Sequence, residues 1–164
     1  MVDVVIRLAR PEDADGIAAL WAELVAHHHA LDPALPVARS DGPQHYAHAI
    51  GDRLRSPFAA VWVAEAGEEL VGYGVAIVND AASAFFAFEK AGLISDLYVR
   101  PSFRRSGIGR RLVHAIAEWF AECGVYDYEW NVAARNAEAQ AFWRAMGGVP
   151  ILIRMRTAWS TEDR

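Results

Sequence analysis

The chain has 164 residues, of which 54% are hydrophobic, and a formal net charge of −5. This composition argues against an intrinsically disordered chain, and the acidic balance argues against non-specific binding to nucleic acid. No apolar run reaches the roughly 18 residues that a membrane span needs, so we expect no membrane insertion. The length fits a single domain over residues 1–164, with room for one core.

The cysteine content indicates a reducing compartment. Cys123 is the only cysteine, so the chain can form no internal disulfide and offers no zinc cluster. It lies near the end of an apolar helical pattern, which favours a buried thiol over a nucleophile. The first ten residues mix acidic and basic side chains and do not resemble a signal peptide. We therefore expect a cytoplasmic protein.

The first half of the chain predicts a strand, two helices and a β-hairpin. A β-rich run comes first, and Pro11 then opens a helix whose apolar residues recur at helical spacing. Gly67 lies in a turn between two apolar β-rich runs, which indicates the hairpin. The predicted elements are a strand at 4–8, a helix after Pro11, a helix at 44–55, and strands at 59–66 and 70–78.

The second half predicts alternating strands and helices. After a loop at 79–84 the predicted elements are a strand at 93–99, a helix at 107–123, a strand at 126–132, a helix at 137–146 and a final strand at 151–159. The complete order is β-α-α-β-β-β-α-β-α-β. Hairpin-connected strands followed by crossover connections predict an α/β fold with a mixed central sheet and helices on both faces.

The most informative stretch is LISDLYVRPSFRRSGIGR, residues 93–110. A strand ends, a short basic loop follows, and a helix begins at about residue 107. The first turn of a helix leaves backbone N–H groups unpaired at the positive end of the macrodipole. The side chains around this turn are basic or absent: Arg104, Arg105, Gly107, Gly109 and Arg110. The segment therefore predicts a phosphate or pyrophosphate site in which the glycines allow close approach.

Three classes of phosphate ligand use such a turn. A P-loop needs G-x-x-x-x-G-K-[ST], and no Lys follows these glycines. A dinucleotide fold needs G-x-G-x-x-G/A, whose third position holds Leu112. Asp127 lies about 20 residues beyond Gly107, where that fold has its ribose-binding acid, but it starts its strand instead of ending it. These mismatches disfavour a nucleotide-binding oxidoreductase or kinase and leave the pyrophosphate of coenzyme A.

Two motifs carry a family resemblance. Residues 104–109, RRSGIG, match the pattern Q/R-x-x-G-x-G/A after a strand. The pattern N-x-x-A-x-x-[FL]-Y-x-x-x-G-F is followed at matching spacing by Asn136, Ala139, Phe142, Trp143 and Gly147. With these motifs on the expected elements, the chain resembles the GNAT family of N-acetyltransferases over nearly its whole length.

The resemblance implies that acetyl-CoA is the co-substrate and that no metal is needed. The cofactor would lie between the strands 93–99 and 126–132, with its pantetheine pairing with β-strand backbone. The backbone N–H of Leu97 would polarise the thioester carbonyl and stabilise the oxyanion. The residues assigned to cofactor binding in this way are Leu97, Tyr98, Val99, Arg104, Arg105, Ser106, Gly107, Ile108, Gly109, Arg110 and Asn136. The acceptor would be a primary amine of a small molecule or a peptide, and a homodimer is an open alternative.

The chain departs from the family at both usual proton-transfer positions. Trp143 stands where many members have a tyrosine general acid, and its indole has no titratable proton. Leu93 stands near the usual glutamate base. The candidate proton acceptors are Asp96, Glu129, Glu89 or a water chain, and Asp96 ranks first because it lies on the motif strand. Strand alternation places Asp96 and Leu97 on opposite sheet faces. An acyl-CoA-binding module without turnover is the alternative function.

Several aromatic and histidine side chains have competing interpretations. Trp143 fits a core position in an apolar helical stripe, and Tyr98 and Tyr128 fit either the acceptor site or core packing. The histidines His27, His28, His29, His45 and His48 fit a polar wall of the acceptor pocket or a favourably charged helix end. A metal site is disfavoured because three consecutive histidines on a helix point in different directions.

Overall fold

The computed structural model describes residues 3–79 and 90–157. Within them, five strands and four α-helices follow the order β-α-α-β-β-β-α-β-α. Their bounds are β1 Val4–Leu8, α1 Ala14–Leu31, α2 Gly42–Arg55, β2 Ala59–Ala66, β3 Glu69–Asn79, β4 Ala91–Val99, α3 Ile108–Glu122, β5 Tyr128–Trp130 and α4 Ala137–Ala145. No helix in this part of the chain is long and apolar enough to cross a membrane.

The five strands form one mixed sheet in the order β1-β2-β3-β4-β5. The first three pairings are antiparallel, whereas β4 and β5 pair in parallel. Gly67 adopts a positive φ of 64° in the turn between β2 and β3, which confirms the predicted hairpin. The parallel pair follows from α3, because a crossover helix returns the chain in the same direction.

Helices cover both faces of the sheet, as the sequence predicts. On one face, Ile17 and Leu20 of α1 pack with Ile50 of α2 against the sheet residues Val63 and Tyr73. On the other face the buried cluster combines α3, Trp143 of α4 and the opposite side chains of the strands. The central strands are therefore buried on both sides, which explains their nearly continuous apolar sequences.

A β-bulge in β4 changes which side chains reach each face. Asp96 pairs with Val75 of β3 and Ile94 pairs with Ala76, so Ser95 between them has no partner in β3. Ile94 belongs to the cluster under α3, whereas Tyr98 belongs to the cluster under α1 and α2. Two residues separated by an even number would share a face in a regular strand. Beyond the bulge, the even-numbered side chains of β4 therefore lie on the opposite face of the sheet from those before it.

The prediction of a final strand at 151–159 is wrong for the described residues. Residues 151–157 form no strand, and their side chains are exposed. β-rich sequence becomes a strand only where another strand supplies hydrogen bonds, and no described strand lies beside this segment. β5 is also shorter than the predicted 126–132. The predicted loop at 79–84 lies outside the described residues apart from Asn79, which ends β3.

Candidate active site

The pairing between the parallel strands β4 and β5 covers only the first part of β4. Their pairing begins at Gly92 with Tyr128 and stops at Ile94 with Trp130. β5 ends there, whereas β4 continues to Val99. The second half of β4 therefore has no described strand neighbour on its β5 side, which leaves an open edge along this half of β4, in the gap beyond the end of β5.

The bulge decides which backbone groups face this open edge. At the start of β4, the N–H of Gly92 donates to the carbonyl oxygen of Asp127 on the β5 side, at 3.2 Å. Backbone groups alternate sides along a strand, so the N–H of Ile94 faces the same way. The extra residue Ser95 shifts this alternation by one, so odd-numbered residues face the β5 side beyond it.

A hydrogen bond just beyond the end of β4 confirms this shift. The N–H of Arg100 donates to the carbonyl oxygen of Val71 in β3, at 2.9 Å. By alternation the N–H of Tyr98 also faces β3, and those of Leu97 and Val99 face the gap. Two backbone donors therefore line the open edge, a relationship that residue types alone do not reveal.

The N-terminus of α3 lies shortly beyond the end of β4. Gly107 caps the helix with a φ of 83°, and its carbonyl accepts the first helical hydrogen bond, from Arg111, at 3.0 Å. A Cβ built on Gly107 would meet no atom within 4 Å. The first-turn N–H groups have no acceptor within the helix, and they add to the positive end of its dipole. This end of α3 is therefore open to an anion.

Gly109 has different surroundings. A Cβ built on it would lie 3.4 Å from two ring carbons of Phe142 in α4. A side chain at this position would lie directly against the Phe142 ring, so Gly109 also lies at the contact between α3 and α4. The sequence contains no signal for this contact because it depends on how two helices pack.

The three arginines of the motif separate into two roles. Arg104 donates from Nε to the carbonyl oxygen of Val99 and from Nη1 to Glu138, each at 2.9 Å. Its guanidinium also lies over the Tyr98 ring, 5.8 Å from the centroid. Arg104 therefore fixes the end of β4 to α4, whereas Arg105 and Arg110 are exposed at the start of α3.

The remaining residues of the two motifs take local structural positions. Ser106 donates from Oγ to the carbonyl oxygen of Phe103, at 2.6 Å, inside the loop. Asn136 is buried and caps α4, because its Oδ1 accepts from the N–H of Ala139 at 3.0 Å. Ile108 is buried at the start of α3. These contacts fix the loop before α3 and the first turn of α4.

Asp96 lies on the face that α1 and α2 cover, opposite Leu97. Ser95 donates from Oγ to Asp96 Oδ2 at 2.8 Å. Burial raises the pKa of Tyr46 in α2 and of Tyr73 in β3, and the nearby Asp96 charge raises the pKa of both phenols further. The two hydroxyl groups are 3.5 Å apart. The carboxylate therefore lies near the two buried phenols beneath α2.

The C-terminal half of α1 contacts the end of β4 on the same face of the sheet. Glu23 accepts from the hydroxyl of Tyr98 at 3.2 Å and from the guanidinium of Arg100 at 2.8 Å, which ties α1 to the end of β4. His27 and His28 follow about one turn later. Burial lowers the pKa of both imidazoles. The positive charge of Arg104 lowers the pKa of His27 further, and the neighbouring His27 lowers the pKa of His28 further. Both imidazoles therefore have a pKa below the ordinary histidine value, and the Asp96 charge acts on the pKa of His28 in the opposite direction.

The other predicted histidines divide between a loop anchor and the surface. His29 bonds through Nδ1 to the carbonyl oxygen of Leu35 at 2.9 Å and so fixes the loop after α1. His45 and His48 are exposed on α2, beside Asp41 and Asp52. In residues 3–79 and 90–157 no group of three or more acidic, histidine or cysteine side chains is arranged to hold a metal ion.

The aromatic candidates are packing residues. Trp143 is buried and stacks on Trp130 of β5 with ring centroids 4.2 Å apart, as its helical stripe predicts. Tyr128 stacks on Phe120 of α3 at 5.2 Å. Tyr98 is buried, with its hydroxyl directed to α1. Glu129, opposite Leu93 in the parallel pair, is exposed, and Glu89 lies outside the described residues.

Sequence reasoning missed Glu23, Arg100 and Tyr46. Glu23 and Arg100 form an ion pair although they are 77 residues apart in the sequence. Tyr46 contacts Tyr73 of the sheet only because α2 packs above it. No motif marks any of them. The apolar stripe of α1 could have indicated that Glu23 borders the sheet, but not which residue it would meet.

Solved structures with the same fold cover almost the whole chain. A point mutant of the BH1408 protein from Bacillus halodurans is 23% identical, covers 95% of this chain and 99% of its own, and superposes with a TM-score of 0.83. A predicted acetyltransferase with acetyl-CoA from Clostridium acetobutylicum is 11% identical over 95% and 96% of the two chains, with a TM-score of 0.77. The aminoglycoside N-acetyltransferase AAC(6')-Iy in complex with CoA is 17% identical over 94% and 95%, with a TM-score of 0.73.

These identities establish a common fold and no more, and no curated protein matches the chain in sequence. The decisive comparison is with families. Residues 24–147 match the acetyltransferase (GNAT) family, and this range contains the bulged strand, the glycine turn and the second motif. The chain therefore belongs to the GNAT acetyltransferase family.

Proposed function

We propose that this protein transfers the acetyl group of acetyl-CoA to a primary amine of a small molecule or a peptide, in the cytoplasm. The observation that carries the proposal is the open edge of β4, where the bulge turns the N–H groups of Leu97 and Val99 into the gap. An extended pantetheine chain has the carbonyl and amide groups to pair with such an edge as a short strand. Several relatives of this fold were solved with CoA or acetyl-CoA, which supports the proposal.

The residues around the gap fit the parts of acetyl-CoA. Leu97 offers both its N–H and its carbonyl oxygen to pantetheine, whereas Val99 offers only its N–H because Arg104 occupies its carbonyl. The first-turn N–H groups of α3, with the exposed Arg105 and Arg110, provide positive charge for the pyrophosphate. In this assignment Arg104 supports the cofactor site indirectly by holding the end of β4, and Asn136 does so by capping α4.

The chemistry needs one donor and one proton acceptor. The N–H of Leu97 donates to the thioester carbonyl oxygen, where negative charge develops as the amine attacks. The amine nitrogen bonds to the acyl carbon, the carbon–sulfur bond breaks, and CoA leaves as a thiolate. Asp96 is the proposed acceptor of the amine proton. It is supported by its place on the α1–α2 face, where its charge acts on Tyr46, Tyr73 and His28.

The rival function is acyl-CoA binding without turnover. Neither Trp143 nor Leu93 has a side chain that can transfer a proton. Trp143 also packs in the core, where it stacks on Trp130. A binding module would show the same cofactor site but would not release thiol. The contrast between binding and turnover therefore separates the two functions.

The test is a panel of amines with acetyl-CoA, read as release of free thiol. The panel should contain an aminoglycoside, because structures of this fold include aminoglycoside acetyltransferases, and short peptides with free amino groups. We expect thiol release with at least one class. Binding is measured separately by thermal shift, since a ligand at 100 times its dissociation constant stabilises a protein by about 2.7 kcal/mol. A shift without thiol release would support the rival function, and no shift at millimolar acetyl-CoA would contradict both.

A further inference from the structure

Arg53 of α2 is half-buried without an acidic partner. Among residues 3–79 and 90–157, the half-buried arginines are Arg7, Arg53, Arg100 and Arg104. Arg7, Arg100 and Arg104 each form an ion pair with a carboxylate. The Nη1 group of Arg53, in contrast, is buried and has no hydrogen-bond partner in this part of the chain. A buried guanidinium group without an acceptor is costly, so its presence calls for a missing anion.

The surroundings of Arg53 do not supply that anion. The adjacent carboxylate of Asp52 accepts from Nη2 of Arg55 at 2.6 Å, at an exposed position. The guanidinium of Arg53 lies instead over the ring of Tyr46, about two turns earlier on the same helix, with Cζ 5.8 Å from the centroid. A cation–π contact extends to about 6 Å, so this one is weak and still leaves Nη1 without an oxygen acceptor.

Arg53 and Asp96 act on the same two phenols. The hydroxyl groups of Tyr46 and Tyr73 are 3.5 Å apart, on the face of the sheet to which Asp96 belongs. Burial raises the pKa of both phenols, the negative charge of Asp96 raises it further, and the positive charge of Arg53 lowers it. The two opposite charges therefore lie near one pair of hydroxyl groups, yet they form no ion pair with each other.

A ligand with two opposite charges complements this arrangement. A carboxylate accepts charge-assisted hydrogen bonds from a guanidinium group and would supply the acceptor that Nη1 lacks. An ammonium group is attracted to the Asp96 carboxylate, the proposed acceptor of the amine proton. The hydroxyl groups of Tyr46 and Tyr73 can donate to the first group or accept from the second. An amine without a carboxylate would leave Arg53 unpaired and would feel its repulsion.

We propose that the acceptor is a free amino acid, whose amine is directed to Asp96 and whose carboxylate is held by Arg53. The role of the amine rests on the acetyl transfer proposed above. The carboxylate narrows the acceptor from primary amines in general to small molecules that carry both groups. Aminoglycosides, which carry several amines and no carboxylate, are then poor acceptors.

The first test measures binding to the CoA complex, which needs no turnover. The probes are the standard amino acids, β-alanine and γ-aminobutyrate, each compared with its own carboxamide, which keeps the amine and removes the negative charge. We expect at least one amino acid to bind about tenfold to hundredfold more tightly than its carboxamide, the range of a hydrogen bond to a charged group. If calorimetry shows no amino acid binding more tightly than its carboxamide, the proposal is overturned.

The second test assigns the preference to Arg53. Arg53→Gln should remove the difference between amino acid and carboxamide, and Arg53→Lys should keep part of it, because the ammonium group retains the charge without the planar fork. Arg55→Gln is the matched control, at an exposed position on the same helix, and should keep the full preference. A role in packing alone would lower the melting temperature of the Arg53 variants and leave the preference unchanged, which would contradict the assignment.

Thiol release from acetyl-CoA separates this proposal from the proposed function. An amino acid that binds with the expected preference but releases no thiol would contradict acetyl transfer and support the carboxylate site. Thiol release at equal rates with an amino acid and with its carboxamide would support acetyl transfer and overturn the carboxylate site.

Discussion

Gly109 lies against Phe142: a Cβ on the glycine would stand 3.4 Å from two carbons of the phenylalanine ring. Gly109, which the sequence predicts to allow close approach of a phosphate, is therefore also a packing position between α3 and α4. The glycine with open space around it is Gly107, which has a positive φ of 83°. The two glycines of one motif should respond differently to substitution.

Gly109→Val should lower folding stability more than cofactor affinity. The branched side chain would overpack the contact with Phe142, at a cost of roughly 1–3 kcal/mol. Urea unfolding measures the loss, and calorimetry with CoA measures affinity, which should change by only a few-fold. Phe142→Leu in the same chain should restore part of the stability by making room. A stable Gly109→Val protein that no longer binds CoA would show that this position faces the ligand.

Gly107→Ala should weaken CoA binding, and Gly124→Ala should not. Both glycines adopt a positive φ, at 83° and 74°, and a Cβ on either meets no atom within 4 Å. Each substitution should therefore cost about 1–2 kcal/mol of stability through backbone strain alone. Only Gly107 lies at the N-terminus of α3. Its variant alone should therefore misplace the N–H donors of the first turn and raise the CoA dissociation constant by about tenfold or more. Equal CoA affinity in the two variants would remove the turn from the site.

Asp96→Asn should reduce turnover and leave CoA affinity unchanged. General-base catalysis contributes roughly 10²–10⁴-fold where it operates, and the amide cannot accept a proton. The measurement is kcat with an active amine, across a pH range. Ser95→Ala is the matched control, because Ser95 donates to Asp96 without being a base. A rate that is unchanged in Asp96→Asn and rises with pH as free amine accumulates would favour release of the proton to water.

Trp143→Phe should preserve the chemistry at some cost in stability. The indole is buried and stacked on Trp130, so its loss should cost roughly 1–3 kcal/mol as lost packing. Thiol release should stay within a few-fold of wild type when measured well below the melting temperature. Trp119→Phe, on α3 against Trp62, gives a comparable aromatic change away from the gap. A folded Trp143→Phe protein that binds acetyl-CoA without any turnover would assign this indole a direct part in the reaction.

His28→Gln should make the free energy of unfolding fall less steeply as the pH is lowered from 7.5 to 5. Burial lowers the pKa of His28 in the folded state below its ordinary value of 6.5, so the unfolded chain binds the proton first. The stability is therefore complete above about pH 6.5 and is lost progressively as the pH falls from there toward the lower folded pKa. Unfolding free energies at several values between pH 7.5 and 5 measure the slope. His48→Gln, at an exposed position on α2, should keep the wild-type slope.

The sequence determined the architecture because local periodicity and turn chemistry are strong here. The bounds of β1 and β2 match their predicted ranges, those of α2, α3 and α4 lie within two residues of theirs, and α1 begins three residues after the predicted start at Pro11. The glycine turn after β4 can be recognised in the sequence because glycines and arginines at a helix N-terminus are typical of an anion-binding site. These signals come from neighbouring residues, so no tertiary information is needed to recognise them.

Tertiary structure decided the parts of the site that depend on register and on contacts between distant elements. The bulge at Ser95 sets which N–H groups face the gap, and its position follows from pairing with β3 and not from the sequence of β4. The contact of Glu23 with Arg100 arises only when α1 lies across the sheet. Residues 151–157 have β-rich sequence but form no strand, because a strand exists only with a neighbour to bond to and the described chain supplies none.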